Sequence, residues 1–582
     1  MKRSMAVIGL LVLALALNGC GRTKGGESAG SGGIQERSGK EEKEEKGENE
    51  GRNGTKKEGK TEDSGKNAGK GKKPEQIEKA ASELLSGVVV KAYSRGHSGD
   101  SYSVSVVRIA AGLSAEAQET YPELAAALES CQREEQQALD REEKALWDEA
   151  RQNSGEHCYL YTDRSARILR GDSRVLSVLE ETEKKRGWDW GTDSITTQIR
   201  NLDVRSGREL TLSDVVTKKE ILFSLLAKKL EETGAIRSGA ALLDFLKKNE
   251  DTLCWGLDSE GLHLSLRPEE LEALSSVQTV SIYFEEAPTL FRSYYTETPE
   301  SYVLPCTDTH PVAIDADGDG ERELLRLTEL SDGNEWGGFD RLRLELGARS
   351  LELLFPAYDK ECYVLYYNGR YYAYLTLQGE NDFKETYVVD LKTLEYNSEK
   401  AIYGWIGREK DEYQITDTGY QGSVTSDLFY NPEQFYMGHT LQLLGTHIAY
   451  QRVRVGRNGC PEATEDWMDF YGNTVVKLVG SLDCETVDYF GSAVKGGRPA
   501  VGSYLRFMRT DGRSWVDMQQ IEEANVKAFG EEDWKFYSTI DGYIPEEDGT
   551  KPIYRIYLDH DDESCINGIE ESEIFEGIMY AG

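Results

Sequence analysis

Basic side chains, histidine and long apolar runs are all scarce in this chain of 582 residues, and each shortage removes a class of function. Lys and Arg number 68 against 104 Asp and Glu, a net charge of −36. A sequence-independent nucleic-acid binder needs a cationic surplus to displace counterions, so that class is excluded. Mean hydropathy is −0.57, and no run beyond the first twenty residues approaches the ~20 apolar residues that cross a bilayer, which excludes a polytopic membrane protein. The seven histidines, His97, His157, His263, His310, His439, His447 and His560, share no His-x-x-x-His or His-Glu-x-x-His spacing. There is no Gly-x-Ser-x-Gly elbow, no P-loop and no dinucleotide fingerprint. The nine cysteines form no Cys-x-x-Cys pair, which argues against a cysteine-held zinc. The carboxylates are so numerous that a glycosidase-type pair among them cannot be located by sequence.

What is present begins with an address. Lys2 and Arg3 precede an apolar run from Met5 to Leu17, too short for a comfortable span and of signal-peptide length. The run ends in Leu17-Asn18-Gly19-Cys20, which resembles the lipobox of bacterial lipoproteins, with Asn18 a departure from the more usual Ala or Ser. The resemblance implies cleavage before Cys20 and a diacylglycerol on its sulfur. An ordinary signal peptide shares the charged and apolar parts, but a hydrophilic tether starts at once and fits the anchored form. Residues 21–75 hold 14 basic and 12 acidic side chains, with Ile34 the one aliphatic residue larger than alanine. Such a segment cannot bury enough apolar surface to offset ordering entropy, so disorder is expected, with an end-to-end distance on the order of 40 Å. The remainder carries 52 basic against 92 acidic side chains, a net of −40. Outside the cytoplasm the eight cysteines beyond Cys20 permit up to four bridges, with no pairing fixed by spacing.

Residues 76–300 read as a first folded domain. Strands are expected at 87–93 and 102–109, then a long helix from Tyr121-Pro122-Glu123-Leu124 to about Gln152. Further strands are expected at 158–162, 175–182 and 194–202, helices near 218–233 and 240–250, and closing strands at 261–266 and 277–284. This is an α+β pattern with an antiparallel sheet. The run Asn201-Leu202-Asp203-Val204-Arg205-Ser206-Gly207-Arg208-Glu209-Leu210-Thr211-Leu212-Ser213-Asp214-Val215 resembles a segment of a bacterial extracytoplasmic family. That family occurs in the outer part of RsiV-type anti-sigma factors, which sense lysozyme, and in the N-terminal half of PdaC-type peptidoglycan deacetylases. Tyr121 to Leu124, Gly171-Asp172-Ser173-Arg174-Val175-Leu176-Ser177, and Gly261-Leu262-His263-Leu264 to Tyr283-Phe284 fit the same family in order. Where the family carries a Gly-Gly-x-His-Gly stretch, this chain has Lys185-Arg186-Gly187-Trp188-Asp189-Trp190-Gly191, so no function tied to that stretch carries over. Trp188 and Trp190 are candidate ligand contacts, with a pair of core tryptophans as the alternative. The metal set of the deacetylase half is missing.

Residues 301–582 read as β-rich. Asp315-Ala316-Asp317-Gly318-Asp319-Gly320-Glu321-Arg322-Glu323 places carboxylates at positions 1, 3 and 5 of a glycine-turned loop, the spacing that suits Ca²⁺. Asp315, Asp317, Asp319, Glu321 (through its carbonyl) and Glu323 are the candidate ligands. Position 12 is Arg326, and strands rather than helices are expected on both sides, so the loop resembles those of FG-GAP-like proteins rather than an EF-hand. Asp559, Asp561 and Glu563 form a looser echo. Asn368-Gly369 between two tyrosine-rich runs signals a type I′ hairpin. A meander, open barrel or partial propeller is expected. Together these readings imply a lipoprotein on the outer face of the cell membrane, held by its lipid anchor. It would be a non-catalytic module for a cell-wall glycan or a cationic protein such as a lysozyme, and not an enzyme. A carbohydrate-active hydrolase or a structural accessory lipoprotein are the alternatives. With no transmembrane segment expected after Cys20, such a chain would not transmit a signal alone.

Overall fold

A computed structural model describes residues 84–580, apart from 85–86, 100–101, 153–157, 187–191, 233–235, 237–238, 268–276, 332–337, 381–382, 397–401, 417–418, 428, 532–533, 541–550 and 560–564. Cys20, the tether, Trp188 and Trp190 lie outside these residues, as do Asp561 and Glu563. The fold is α+β: mainly antiparallel sheets, helices confined mainly to the first half, and a mostly β second half whose sheets, over the described residues, do not close into a barrel.

The first sheet contains β1 (Val88–Gly99), β2 (Tyr102–Leu113), β3 (Cys158–Gly171), β4 (Val175–Arg186) and β5 (Thr192–Asp203), in that spatial order. All neighbours are antiparallel except β2 and β3, which run parallel. A parallel pair needs a long crossover, and here it consists of α1 (Ala115–Thr120) and α2 (Pro122–Gln152). On α2 the buried positions Leu124, Leu128, Glu135, Leu139, Leu146 and Ala150 recur with an eleven-residue repeat. Eleven residues make three turns, so the stripe stays on one face of a nearly straight helix. Glu135 occupies an apolar position in that stripe because Arg164 on β3 bonds it there, and the same guanidinium holds Glu180 on β4. Beyond β1 the sheet gains a hairpin from far along the chain, Arg408–Thr416 and Gly419–Asp427, with Ala92 opposite Val424.

Helices α3 (Lys219–Glu232) and α4 (Gly239–Lys248) pack their leucines on a three-stranded sheet of β6 (Cys254–Leu257), β7 (Gly261–Leu266) and β8 (Gln278–Tyr283). Next come β9 (Tyr302–Pro305), β10 (Ala313–Ile314), β11 (Glu323–Leu330), β12 (Phe339–Leu346), β13 (Arg349–Ala357), β14 (Asp359–Tyr367), β15 (Arg370–Gln378) and β16 (Lys384–Asp390). The β14–β15 hairpin is buried on both faces. Val364, Ala373, Leu375 and Leu377 point into one core with β10–β13, and Tyr363, Leu365, Tyr372 and Tyr374 into another with Phe429, Phe435 and Val453. This is the period-2 alternation of a strand that separates two cores. The hairpin turns at Asn368 (φ 52°) and Gly369 (φ 73°), both left-handed as a type I′ turn requires. Cys306 and Cys362 face each other in the first of these cores as thiols. Their mutual contact, then burial, pushes the Cys362 thiol well above its ordinary range.

Apart from the 408–427 hairpin and a small separate pair, Cys565–Ile566 with Ile569–Glu570, the strands from Trp405–Ile406 to Phe575–Glu576 form one large branched sheet. His447 is buried there against Phe507 (ring centroids 4.2 Å) and Phe470 (5.2 Å), with Nε2 donating to the Leu444 carbonyl at 3.0 Å. Burial lowers its pKa from 6.5, although the carbonyl opposes the shift. The unfolded chain therefore takes up the proton first as pH falls. The stability contributed by neutral His447 is complete above about pH 6.5 and drains away below it, toward the lowered folded-state value. Melting temperature followed from pH 7 to 5 should fall less steeply for His447→Gln than for the parent; equal slopes contradict this assignment.

Candidate functional site

Two places in the described structure gather chemistry-bearing side chains from the second half of the chain. The first is the loop between β10 and β11. Gly318 (φ 85°) and Gly320 (φ 91°) adopt the left-handed region, and a Cβ at either would meet open space, so backbone conformation is what calls for glycine. The chain then wraps around Asp315. Its Oδ1 accepts from the amides of Gly318 (2.8 Å) and Asp319 (3.1 Å), and Oδ2 from that of Gly320 (3.0 Å). Asp319 Oδ1 accepts from the Glu321 amide at 2.8 Å. Asp315, Asp317 and Asp319 each present a carboxylate oxygen within 4.8 Å of the others. Glu323 stands in β11, its carboxylate accepting from the Ala316 amide at 3.3 Å, and the Glu321 side chain is exposed. Among the described residues no basic side chain pairs with the three aspartates. The adjacent cation, Arg322, turns the other way. It bonds Glu260, Glu285 (2.8 Å) and the Ala313 carbonyl (2.8 Å), and lies 3.8 Å over the Tyr283 ring. Glu260 also accepts from the hydroxyls of Tyr302 and Tyr371, each at 2.8 Å. Burial raises its pKa against the opposing charge of Arg322. This buried knot ties the acidic hairpin and the β14–β15 hairpin to the β7 sheet. Of the looser echo, Asp559 is described, and its carboxylate accepts from the amides of Asn567 (3.0 Å) and Gly568 (2.6 Å).

The second place is a cavity of about 720 Å³ where the start of β1 and the 408–427 hairpin meet the strands Phe435–Gln442, Thr446–Val455 and Met468–Phe470. Its wall is aromatic: Tyr430, Phe435, Tyr436, Tyr450, Phe470 and Tyr471. Tyr430 is fixed by its hydroxyl to the Val88 carbonyl, and Tyr450 meets Tyr471 edge to face at 5.5 Å and accepts from the Glu409 amide at 3.1 Å. Tyr436 and Tyr471 are only part buried, and the Arg408 guanidinium lies 4.1 Å over Tyr436 while its Nε donates to Asp427 at 2.8 Å. Asp469 also lines the cavity. Crowding by protein raises its pKa, Glu465 adds to the shift, and Arg408, Arg509 and Arg452 oppose it. The volume falls within the range of ligand pockets, and the wall pairs flat apolar rings with a few fixed polar groups, the usual makeup of a small-molecule site. Sequence spacing gives no sign of this cavity, because its walls come from segments between Val88 and Asn473.

No family model matches the chain. No curated relative matches it either. Among solved structures it is similar to a DUF3298-family protein from Bacteroides fragilis, at 15% identity and a TM-score of 0.25, over 35% of this chain and 93% of that one. It is likewise similar to a DUF3298-family protein from Pseudomonas aeruginosa, at 12% identity and a TM-score of 0.23, over 35% of this chain and 93% of that one.

Proposed function

We propose that this chain is a lipoprotein on the outer face of the cell membrane, anchored through Cys20, that binds cell-wall glycan non-catalytically in the tyrosine-lined cavity. The observation that carries the reading is the cavity wall: the half-buried rings of Tyr436 and Tyr471 line it together with Arg408, Asp427, Asp469 and Asn473, a combination of aromatic and polar side chains suited to a sugar. The test is calorimetric titration of the full-length protein with an N-acetylglucosamine tetramer. The expected result is saturable binding that Tyr436→Ala and Tyr471→Ala each weaken about tenfold, the effect of losing one aromatic contact of roughly 1.4 kcal/mol. No heat of binding at millimolar sugar rejects the reading.

A second reading is a carbohydrate-active hydrolase, because Asp469 lines the cavity and its surroundings raise its pKa, the direction a general acid needs. Shortened oligosaccharides after incubation with the tetramer, abolished by Asp469→Asn, would select it. An acidic ectodomain also steers cationic proteins toward itself; enrichment of a lysozyme that survives physiological salt and ignores the cavity variants would favour a protein ligand instead.

The Asp315 loop is, on the same reading, a structural calcium clamp. Three carboxylates converge without a cationic partner, and the amides that bind Asp315 set the loop in advance. At a calcium concentration 100 times the dissociation constant the expected gain is about 2.7 kcal/mol. The parent should melt higher in calcium than in chelator, and Asp315→Asn should lose that difference. Identical melting in calcium and chelator removes the site.

A further inference from the structure

Asp258, His263 and His310 are far apart in sequence but meet in the interior. Asp258 lies in the turn between β6 and β7, His263 on β7, and His310 in the loop after β9. They are 2%, 3% and 1% exposed. Each contributes one donor atom to a group whose members all lie within 4.8 Å of one another. We propose that this trio is a buried binding site for a divalent transition-metal ion, with zinc the best chemical match.

Two features support the assignment. The first is that each donor is oriented from behind. Asp258 Oδ1 accepts from the amides of Glu260 and Gly261, both at 2.7 Å, which leaves Oδ2 to face His263 Nε2 at 2.6 Å. The other ring nitrogen of His263, Nδ1, bonds Ser281 Oγ at 2.7 Å. Such outer partners fix the ring of a metal-bound histidine. The backbone of His310 is pinned in a turn, its amide donating to Thr307 Oγ1 at 3.0 Å.

The second feature is what a plain Asp–His ion pair leaves over. His310 Nε2 is sealed from solvent with no hydrogen-bond partner, and its ring centroid is 4.7 Å from that of His263. An Asp258–His263 pair alone has no use for this second imidazole. A cation does, because two imidazoles and one carboxylate are a borderline-soft N/O set that suits zinc, with a fourth position left for water. Zinc bonds of about 2.0–2.2 Å set neighbouring ligand atoms a little over 3 Å apart, so the Asp258–His263 contact would open by roughly 0.7 Å on binding.

The site is distinct from the Asp315 loop, whose hard oxygen ligands suit calcium. The test uses the full-length protein, purified from zinc-supplemented cells and dialysed in excess calcium, with metal content read by mass spectrometry. The expected result is one equivalent of zinc per chain, retained in Asp315→Asn and lost in His310→Gln. Because a buried variant can fail to fold, cobalt(II) loaded into the parent gives a second readout: the intense visible d–d bands of a four-coordinate site. Folded parent that keeps no zinc, zinc retained equally by folded His310→Gln, or cobalt showing only the weak bands of a six-coordinate aquo ion would each overturn the proposal.

Discussion

Glu260→Ala should lower the unfolding free energy by about 3–5 kcal/mol, the cost of removing one partner from a buried ion pair. Glu260 is 7% exposed and takes the Arg322 guanidinium together with two tyrosine hydroxyls. Truncation leaves Arg322 facing a cavity and takes from both phenols the carboxylate they share, leaving them only each other. It also removes the carboxylate that joins three pieces of chain: the β6–β7 turn, the acidic hairpin through Arg322, and the β9–β14–β15 sheet through Tyr302 and Tyr371. Glu260→Gln keeps an acceptor for the phenols but not the charge that balances Arg322, so its loss should be smaller. Against a typical total of 5–15 kcal/mol the alanine variant approaches the limit of foldability. Urea unfolding of the three proteins measures the ordering; an alanine loss below 1 kcal/mol would show that the knot contributes little.

Cys20→Ala should move the whole protein from the membrane fraction to the medium. Each acyl CH₂ that enters the bilayer contributes about 0.8 kcal/mol, and one short chain holds a protein only reversibly, whereas two hold it for good. Nothing in the tether offers a substitute, since residues 21–75 are nearly free of apolar side chains and close to neutral. Metabolic labelling with a radioactive fatty acid should mark the parent and not the variant. Parent protein that carries no label and fractionates with soluble contents contradicts the anchor.

Local signals in the sequence were reliable guides where the physics was local. Proline at the first helical position and a buried stripe made α2 readable to within a residue or two of Pro122–Gln152. Asn368-Gly369 dictated a turn that any flanking strands of that length would accept. The Asp315 loop was legible because its glycines and aspartates act within nine residues. Of the four side-chain carboxylates expected there, those of Asp315, Asp317 and Asp319 converge, while that of Glu323 accepts from the loop backbone. Contacts between distant segments left no such trace. The hairpin at 408–427 completes a sheet begun some 300 residues earlier, and nothing in its own pattern names β1 as its neighbour. His263 and His310 do not follow any ligand spacing, because β7 and the loop after β9 bring them together only once the β6–β8 sheet has formed. The cavity is the extreme case: each tyrosine in it reads, by itself, as one more aromatic on a strand.

The glycan reading is tested most directly by a crystal structure of the protein soaked with N-acetylglucosamine tetramer. The account predicts a sugar ring stacked on Tyr436 or Tyr471, with hydroxyl or acetamido groups bonded to Arg408 or Asp469. A cavity that stays free of sugar at saturating concentration, or an oligosaccharide seated elsewhere on the protein, would contradict it.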